Sequence, residues 1–426
     1  MGGKLLSVKN ALILGVSGLF IGGVASWLVS QGNPGSMGLC IACFLRDITG
    51  FFAGSITNQG ATAYIRPEII GIILGAMGAA LTAGEFRARG GSNPLLRFVL
   101  GFIFMVSALI FLGCTVRAWL RLAGGDLNAI WGILGIVAGV VVGVFLLRRG
   151  YSLGRSSNTA FPLGLLLPGI AIALLGFGLL ANMDIRPDFT TQTRQGALAT
   201  GDAPPAVIIK DAGQVSEVIA PPGATVADGS SIVANDGRVV ASAESVSNAR
   251  PQPGGRRAPF FIALFAGLVI GVVAQRSRFC SIGGIRDAIF VRRYDLLLGV
   301  GGLLVGAFVV NLIFGQFKLG FEGQPVAHMD ALGSFAAMTI AALAAMMLGG
   351  CPFRQVIMGS EGDGDAFVAV MGMLAGAGFS HWAQLASSAK GLAPMAWVAM
   401  GAMAALLLII AFVFRRTDVT GKGCSG

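Results

Sequence analysis

The strongest constraint on this chain is a series of apolar stretches, each close to the length that crosses a bilayer. Residues 11–30, 65–84, 95–113, 127–147, 161–181, 259–275, 294–316, 331–350, 364–381 and 394–414 carry few charges or none. About 20 apolar residues form a helix that spans a hydrocarbon core of about 30 Å. Within that core only segments that satisfy their own backbone hydrogen bonds persist. The expectation is an all-α integral membrane protein with about ten spanning helices. Composition points the same way: 55% of residues are hydrophobic and 12% charged, and 65 are glycine. Small residues let membrane helices approach closely where hydrophobicity no longer drives their association.

The formal charge of +10 does not indicate a nucleic-acid partner, because the bases are not gathered on a soluble module. Arg87, Arg89 and Arg97, then Arg148, Arg149 and Arg155, then Arg276, Arg278, Arg292 and Arg293, and finally Arg415, Arg416 and Lys422 fall between alternate spans. That is the positive-inside pattern, and it sets both termini in the cytoplasm. The opening MGGKLLSVKN runs into an apolar stretch without a small-residue cleavage site, so a retained first helix is expected. Residues 182–258 are rich in Ala, Pro, Gly, Ser and Asp and include GATVADGSSIVANDGRVVAS, with Asp-Gly turn signals. They divide the chain into a first membrane repeat at 1–181, an extracytoplasmic insertion at 182–258 and a second repeat at 259–426. The insertion reads as a small β-rich cap or as a linker.

Internal repetition sharpens the reading. Aligning Arg46-Asp47 with Arg286-Asp287 places Cys40 on Cys280, each in a C-x5-R-D pattern. FLGCTVR, with Cys114 and Arg117, matches LGGCPFR, with Cys351 and Arg354. An aspartate preceded by glycine, Asp126 or Asp363, lies twelve residues beyond the cysteine in both copies. Five spans per half force the second half into the membrane with opposite orientation, the inverted repeat of many transporters. Cys40 and Cys114 are then expected in outward connections, and Cys280 and Cys351 in inward ones, with thiols at both mouths. CFLRDITGFF and GGIRDAIFV read as short half-helices of re-entrant loops, tolerated at membrane depth where protein or water surrounds them. Charges there mark a functional site, and each Arg-Asp pair reads equally as a brace for its loop.

A thiol is a weak donor and a polarisable acceptor, suited to brief contact with a soft sulfur or selenium anion. Conduction needs sites that admit an ion without trapping it. The arginines and half-helix N-termini would supply the electrostatics of anion binding. Cys43 falls opposite Gly283 in the repeat and so stands outside the shared machinery. Neither His328 nor His381 lies near a cysteine pair, so no zinc site is expected, and no cofactor or nucleotide-binding motif is evident. His328 reads as a solvated loop residue, His381 as an interfacial helix end beside Trp382, and Glu85 as a solvated helix end. Met346 and Met347 read as packing. Cys424, in the tail GKGCSG, reads as an exposed thiol, with a handoff to a sulfur carrier conceivable.

CIACFLRD with IRPEIIG, RARGGSNPLLRFVLGF, FLGCTVRAWLRLAGGDLNAI, RSRFCSIGGIRDA and LGGCPFRQVIMGSEGDGDA resemble the YeeE/YedE membrane family. Its members take up thiosulfate or are assigned to selenium metabolism, and the wording is nearest the selenium-transport branch. The resemblance covers nearly all of the membrane portion but not residues 182–258. It implies a bacterial inner-membrane importer of a small sulfur or selenium anion, not an enzyme, with a cytoplasmic sulfur-carrier protein as a further partner. It also implies that Cys40, Cys114, Cys280 and Cys351 pass the anion by hydrogen bonds. The main rival is an enzyme, a membrane thiol-disulfide oxidoreductase using Cys40-x-x-Cys43. A passive channel is a third class, and the energy source stays open.

Overall fold

The computed structural model describes residues 2–57, 64–154, 156–180 and 257–415, and strand segments between 206 and 242. Among the described residues the chain is mostly helical. Its first part comprises α1 (Gly2–Ser30), α2 (Ile41–Thr57), α3 (Pro67–Thr82), α4 (Pro94–Phe111), α5 (Thr115–Ala123), α6 (Ala129–Arg148), α7 (Phe161–Gly164) and α8 (Leu166–Leu180). The second comprises α9 (Phe260–Ser277), α10 (Ser281–Phe290), α11 (Asp295–Ile313), α12 (Ala331–Leu348), α13 (Pro352–Ser360), α14 (Gly364–Trp382) and α15 (Ala396–Val413). Prolines 67, 94 and 352 open α3, α4 and α13, where the missing N–H has no helical partner to lose. Between the two parts, Ala206–Asp211 pairs antiparallel with Gln214–Ile219, and Thr225–Ala227, Ser231–Val233 and Val239–Ser242 form a second antiparallel sheet. The second sheet falls on the GATVADGSSIVANDGRVVAS stretch with its Asp-Gly turn signals.

Among the described residues, 7 helical runs are long and apolar enough to cross a membrane: Ala11–Ser30, Pro94–Ala123, Ala129–Arg148, Phe260–Phe290, Asp295–Ile313, Ala331–Ser360 and Ala396–Val413. Three of the ten expected stretches form other helices. Those at 65–84 and 161–181 give the shorter apolar segments Pro67–Thr82 and Leu166–Phe177. The stretch 364–381 gives the 19-residue α14, whose apolarity is diluted by Asp365 in its first turn and His381 in its last.

Packing between the two parts is reciprocal. Helix α1 lies along α11 while α9 lies along α3; α6 lies along α12 while α14 lies along α4; and α4 meets α12. The loops follow the same rule. Leu127 N–H donates to Gly320 O (3.1 Å) in one copy, and Arg89 N–H to Gly362 O (3.2 Å) in the other. Glycines make the close crossings, in which dispersion between touching backbones holds the helices. A Cβ at Gly22 would lie 2.0 Å from Leu303 O, and one at Gly271 would lie 2.3 Å from Ile72 O. The inward faces merge into one apolar core that contains Cys40, Cys43, Cys114, Cys280 and Cys351, while Leu12, Phe265, Ile313 and Phe412 point outward as a lipid-facing surface would.

Candidate functional site

The helices break where the cysteines stand. At the end of α4, Leu112 turns left-handed (φ 66°), and Cys114 then occupies the N-cap of α5. At the end of α12, Gly349 turns left-handed (φ 91°), and Cys351 occupies the N-cap of α13. Arg278 (φ 55°) ends α9 in the same way, two residues before Cys280 at the N-cap of α10. Cys40 immediately precedes α2, and its sulfur accepts from Cys43 N–H at 3.4 Å, as Cys280 accepts from Gly283 N–H at 3.2 Å. Every one of these thiols therefore lies at the end of a helix that carries partial positive charge.

These caps converge. Cys40 Sγ lies 2.8 Å from Cys43 Sγ, and Cys40 and Cys114 are electrostatic neighbours. Thr115, next to Cys114, bonds through its hydroxyl to that of Ser281, next to Cys280, at 3.0 Å. Cys280 Sγ donates to Cys351 Sγ at 3.6 Å, and Cys351 N–H donates back to Cys280 Sγ at 3.5 Å. Cys40 with Cys43 and Cys280 with Cys351 thus form two sulfur pairs in one buried core that also holds Cys114, and the Thr115–Ser281 bond joins the segments that carry Cys114 and Cys280. The ring edges of Phe279 and Phe353 meet beside the second pair, their centroids 6.1 Å apart. Thiols expected at two separate mouths instead share one interior, because α5 and α10 face each other end to end. This core is packed closed. Cavities of about 310 Å³ beside His381 and about 590 Å³ beside Arg276 are lined by other residues.

The paired charges divide into two kinds. Asp47 is fully buried and accepts from Arg46 Nη2 at 2.6 Å and from Arg66 Nε at 2.7 Å. Around it, Asn33 donates to Glu68 at 2.7 Å and accepts from Ala258 N–H at 2.9 Å, tying the start of the second part to the first. Arg286 and Asp287 pair at 2.8 Å but stay part-exposed. Asp126 does not pair with Arg117; it binds Arg121 at 2.6 Å and accepts from Asn128 N–H. Asp363 caps α14 by accepting from Ala366 N–H at 3.0 Å and pairs with Arg89 at 2.8 Å. Arg354 pairs with Glu361 at 3.2 Å, and Arg278 bridges Glu361 (3.1 Å) to Glu85 (2.8 Å). Arg117 donates to the carbonyls of Ser36, Leu112 and Val326 and, at 3.7 Å, to Cys43 Sγ.

Several expectations change. The half-helix expected after Cys280 is the ten-residue α10, but its counterpart α2 runs to 17 residues with a kink at Ala53. Cys43, which the repeat leaves aside, touches both Cys40 and Arg117. His328 is buried, not solvated, with Nε2 bonded to Ile110 O at 2.9 Å. Glu85 is exposed, as expected, and in addition pairs with Arg278, while Met346 and Met347 are core packing, as expected. Cys424 lies outside the described residues. Arg66, Glu68, Arg121 and Glu361 were missed, although each stands as a charge within or beside an apolar stretch, the signal that marked the other residues. Compared with family models the chain matches none, and it matches no curated protein.

Proposed function

We propose that the protein imports a small sulfur- or selenium-containing inorganic anion along the row of thiols. The reading is carried by one observation: cysteines at the N-termini of four helices lie in one buried core, with sulfur pairs from both halves and a Thr115–Ser281 bond between the segments that carry Cys114 and Cys280. Each helix end offers partial positive charge to an anion. Each thiol offers a weak, polarisable contact that releases what it holds. The reciprocal packing of α1 on α11 and α9 on α3 supports a two-fold relation between the halves. The odd number of spans then sets them as inverted repeats, ten spans in all when α3, α8 and α14 are counted with the longer helices. The membrane is the bacterial inner membrane, both ends are cytoplasmic, and a sulfur-carrier protein receives the product there.

Serine replaces the thiol while keeping an N-cap, since its hydroxyl is among the preferred caps. Cys40→Ser, Cys114→Ser, Cys280→Ser and Cys351→Ser are therefore expected to change unfolding stability by no more than about 1 kcal/mol. Uptake of isotope-labelled thiosulfate and selenite should nevertheless fall roughly tenfold or more in most of them, a barrier rise of about 1.4 kcal/mol. Undiminished uptake of both anions in all four variants would sink the relay.

A second reading has one observation in its favour, the 2.8 Å approach of the Cys40 and Cys43 sulfurs. As a thiol-disulfide oxidoreductase the protein would need that pair and neither Cys280 nor Cys351. Loss of function in Cys43→Ser, with Cys280→Ser and Cys351→Ser fully active, would select it.

A further inference from the structure

The two ends of the proposed thiol row carry different charge. Arg117 is fully buried, yet among the described residues its partners are neutral: carbonyls of Ser36, Leu112 and Val326 and the sulfur of Cys43. The nearest basic neighbour on its own helix, Arg121, already takes Asp126 at 2.6 Å. That carboxylate bonds Arg121 and not Arg117. At the other end, Arg354 and Arg278 face Glu361 and Glu85, with pairs at 3.2, 3.1 and 2.8 Å, so both of these guanidiniums have a carboxylate partner. Arg117 and Arg354 occupy the same place in the repeat, three residues beyond Cys114 and Cys351, and only the second has a counter-ion. A buried charge held by neutral dipoles alone is costly, and an anion relieves that cost.

We propose that Arg117 with Cys40, Cys43 and Cys114 forms a fixed binding site for one small chalcogen oxyanion, the step at which the transported species is selected. This rests on the transport reading. A hard oxyanion oxygen suits the planar, weakly hydrated guanidinium, and a terminal sulfur or selenium suits the polarisable thiols. Three sulfurs converge here and two at the other end, and the extra one is Cys43. It belongs to this site and not to the repeated relay, which accounts for the glycine at the matching position 283. Arg354, occupied by Glu361, serves passage and not retention.

The test is equilibrium binding to the purified full-length protein in lipid nanodiscs, with labelled thiosulfate, which has a terminal sulfur, and selenite, whose soft atom is central, as probes, and sulfate as a competitor lacking a terminal sulfur. Arg117→Gln is expected to weaken binding tenfold or more. Arg354→Gln should weaken it two- to threefold. Arg117→Lys keeps the charge for cases where the glutamine variant does not fold, and should retain binding within about fivefold. Cys43→Ala should narrow the preference for thiosulfate over sulfate by threefold or more. Equal losses in Arg117→Gln and Arg354→Gln, or an unaltered preference in Cys43→Ala, would overturn the site. A thiolate ultraviolet band in the wild type that disappears in Arg117→Lys and Arg117→Gln, with binding intact, would show that a resident thiolate balances the arginine and would also overturn it. Uptake into proteoliposomes separates the two claims: cysteine-dependent uptake with unselective binding rejects this site alone, and absence of both binding and uptake rejects the transport reading with it.

Discussion

In the first half, Cys40 caps its helix, and seven residues on Asp47 is sealed in the core between Arg46 and Arg66. In the second half, Cys280 caps its helix in the same way, but Arg286 and Asp287 pair where their side chains keep 35% and 24% of their exposure. The sulfur-to-N–H geometry is preserved, at 3.4 and 3.2 Å, and the environment of the ion pair is not. The cysteine cap is thus the element that both halves need. The Arg-Asp pair is a brace wherever chain buries it: α2 is long and threaded through the core, whereas α10 is short and ends near the surface.

The sharpest way to break that comparison is to neutralise the aspartate in each copy. Asp47→Asn leaves two buried guanidiniums without their carboxylate, and breaking a buried pair costs about 3–5 kcal/mol. Asp287→Asn removes a part-exposed pair, for which the expected loss is about 0–1 kcal/mol. Thermal unfolding of the two variants in the same detergent checks the difference. Similar shifts in the midpoint would mean that the two pairs do the same work and that burial of Asp47 is incidental.

How much of this could be read from residues alone follows from the same asymmetry. Apolar length exposed the membrane class and most helices, because burial in lipid leaves a plain hydropathy signal. The ordered cysteines exposed matching segments in the two halves of the sequence. Convergence of Cys40, Cys114, Cys280 and Cys351 was not legible, since a topology of odd spans assigns connections to opposite sides but does not say how deep each returns. The pairing of Asp126 with Arg121, not Arg117, was hidden for another reason. On α5 both arginines are buried four positions apart, and only the turn after Gly124 decides which one meets the carboxylate. Cys43 was set aside because Gly283 stands opposite it in the repeat, a comparison that carries no information on what its sulfur touches, Cys40 and Arg117.

Helix crossings offer a test in which the halves should respond alike. A Cβ at Gly22 or at Gly271 would run into the backbone of the helix across the repeat boundary, at 2.0 and 2.3 Å. Overpacking of this kind costs about 1–3 kcal/mol. Gly22→Val and Gly271→Val are therefore expected to lower the unfolding midpoint by comparable amounts, less than Asp47→Asn. A large effect in one and none in the other would argue that the two crossings are not equivalent.

The smallest expected effect concerns the exposed end of the charge lattice. The Glu85 carboxylate accepts from Gln275 Nε2 at 2.7 Å and from Arg278, and these bonds, with the nearby Arg276, hold its pKa below the ordinary glutamate value. A carboxylate whose pKa is lower in the folded chain contributes stability above its unfolded pKa of about 4.3 and loses it as pH falls through the folded value. Buried Asp47 sits in a closed network, whereas Glu85 is open to solvent and salt. Stability measured between pH 6 and pH 3, pH values of roughly the carboxylate range, should therefore fall slightly more for the wild type than for Glu85→Gln, with the difference shrinking in high salt as screening removes it. Identical pH profiles for the two proteins would show that Arg278 is held by Glu361 alone, and the lattice at the second-half end of the thiol row would then contain one working carboxylate, not two.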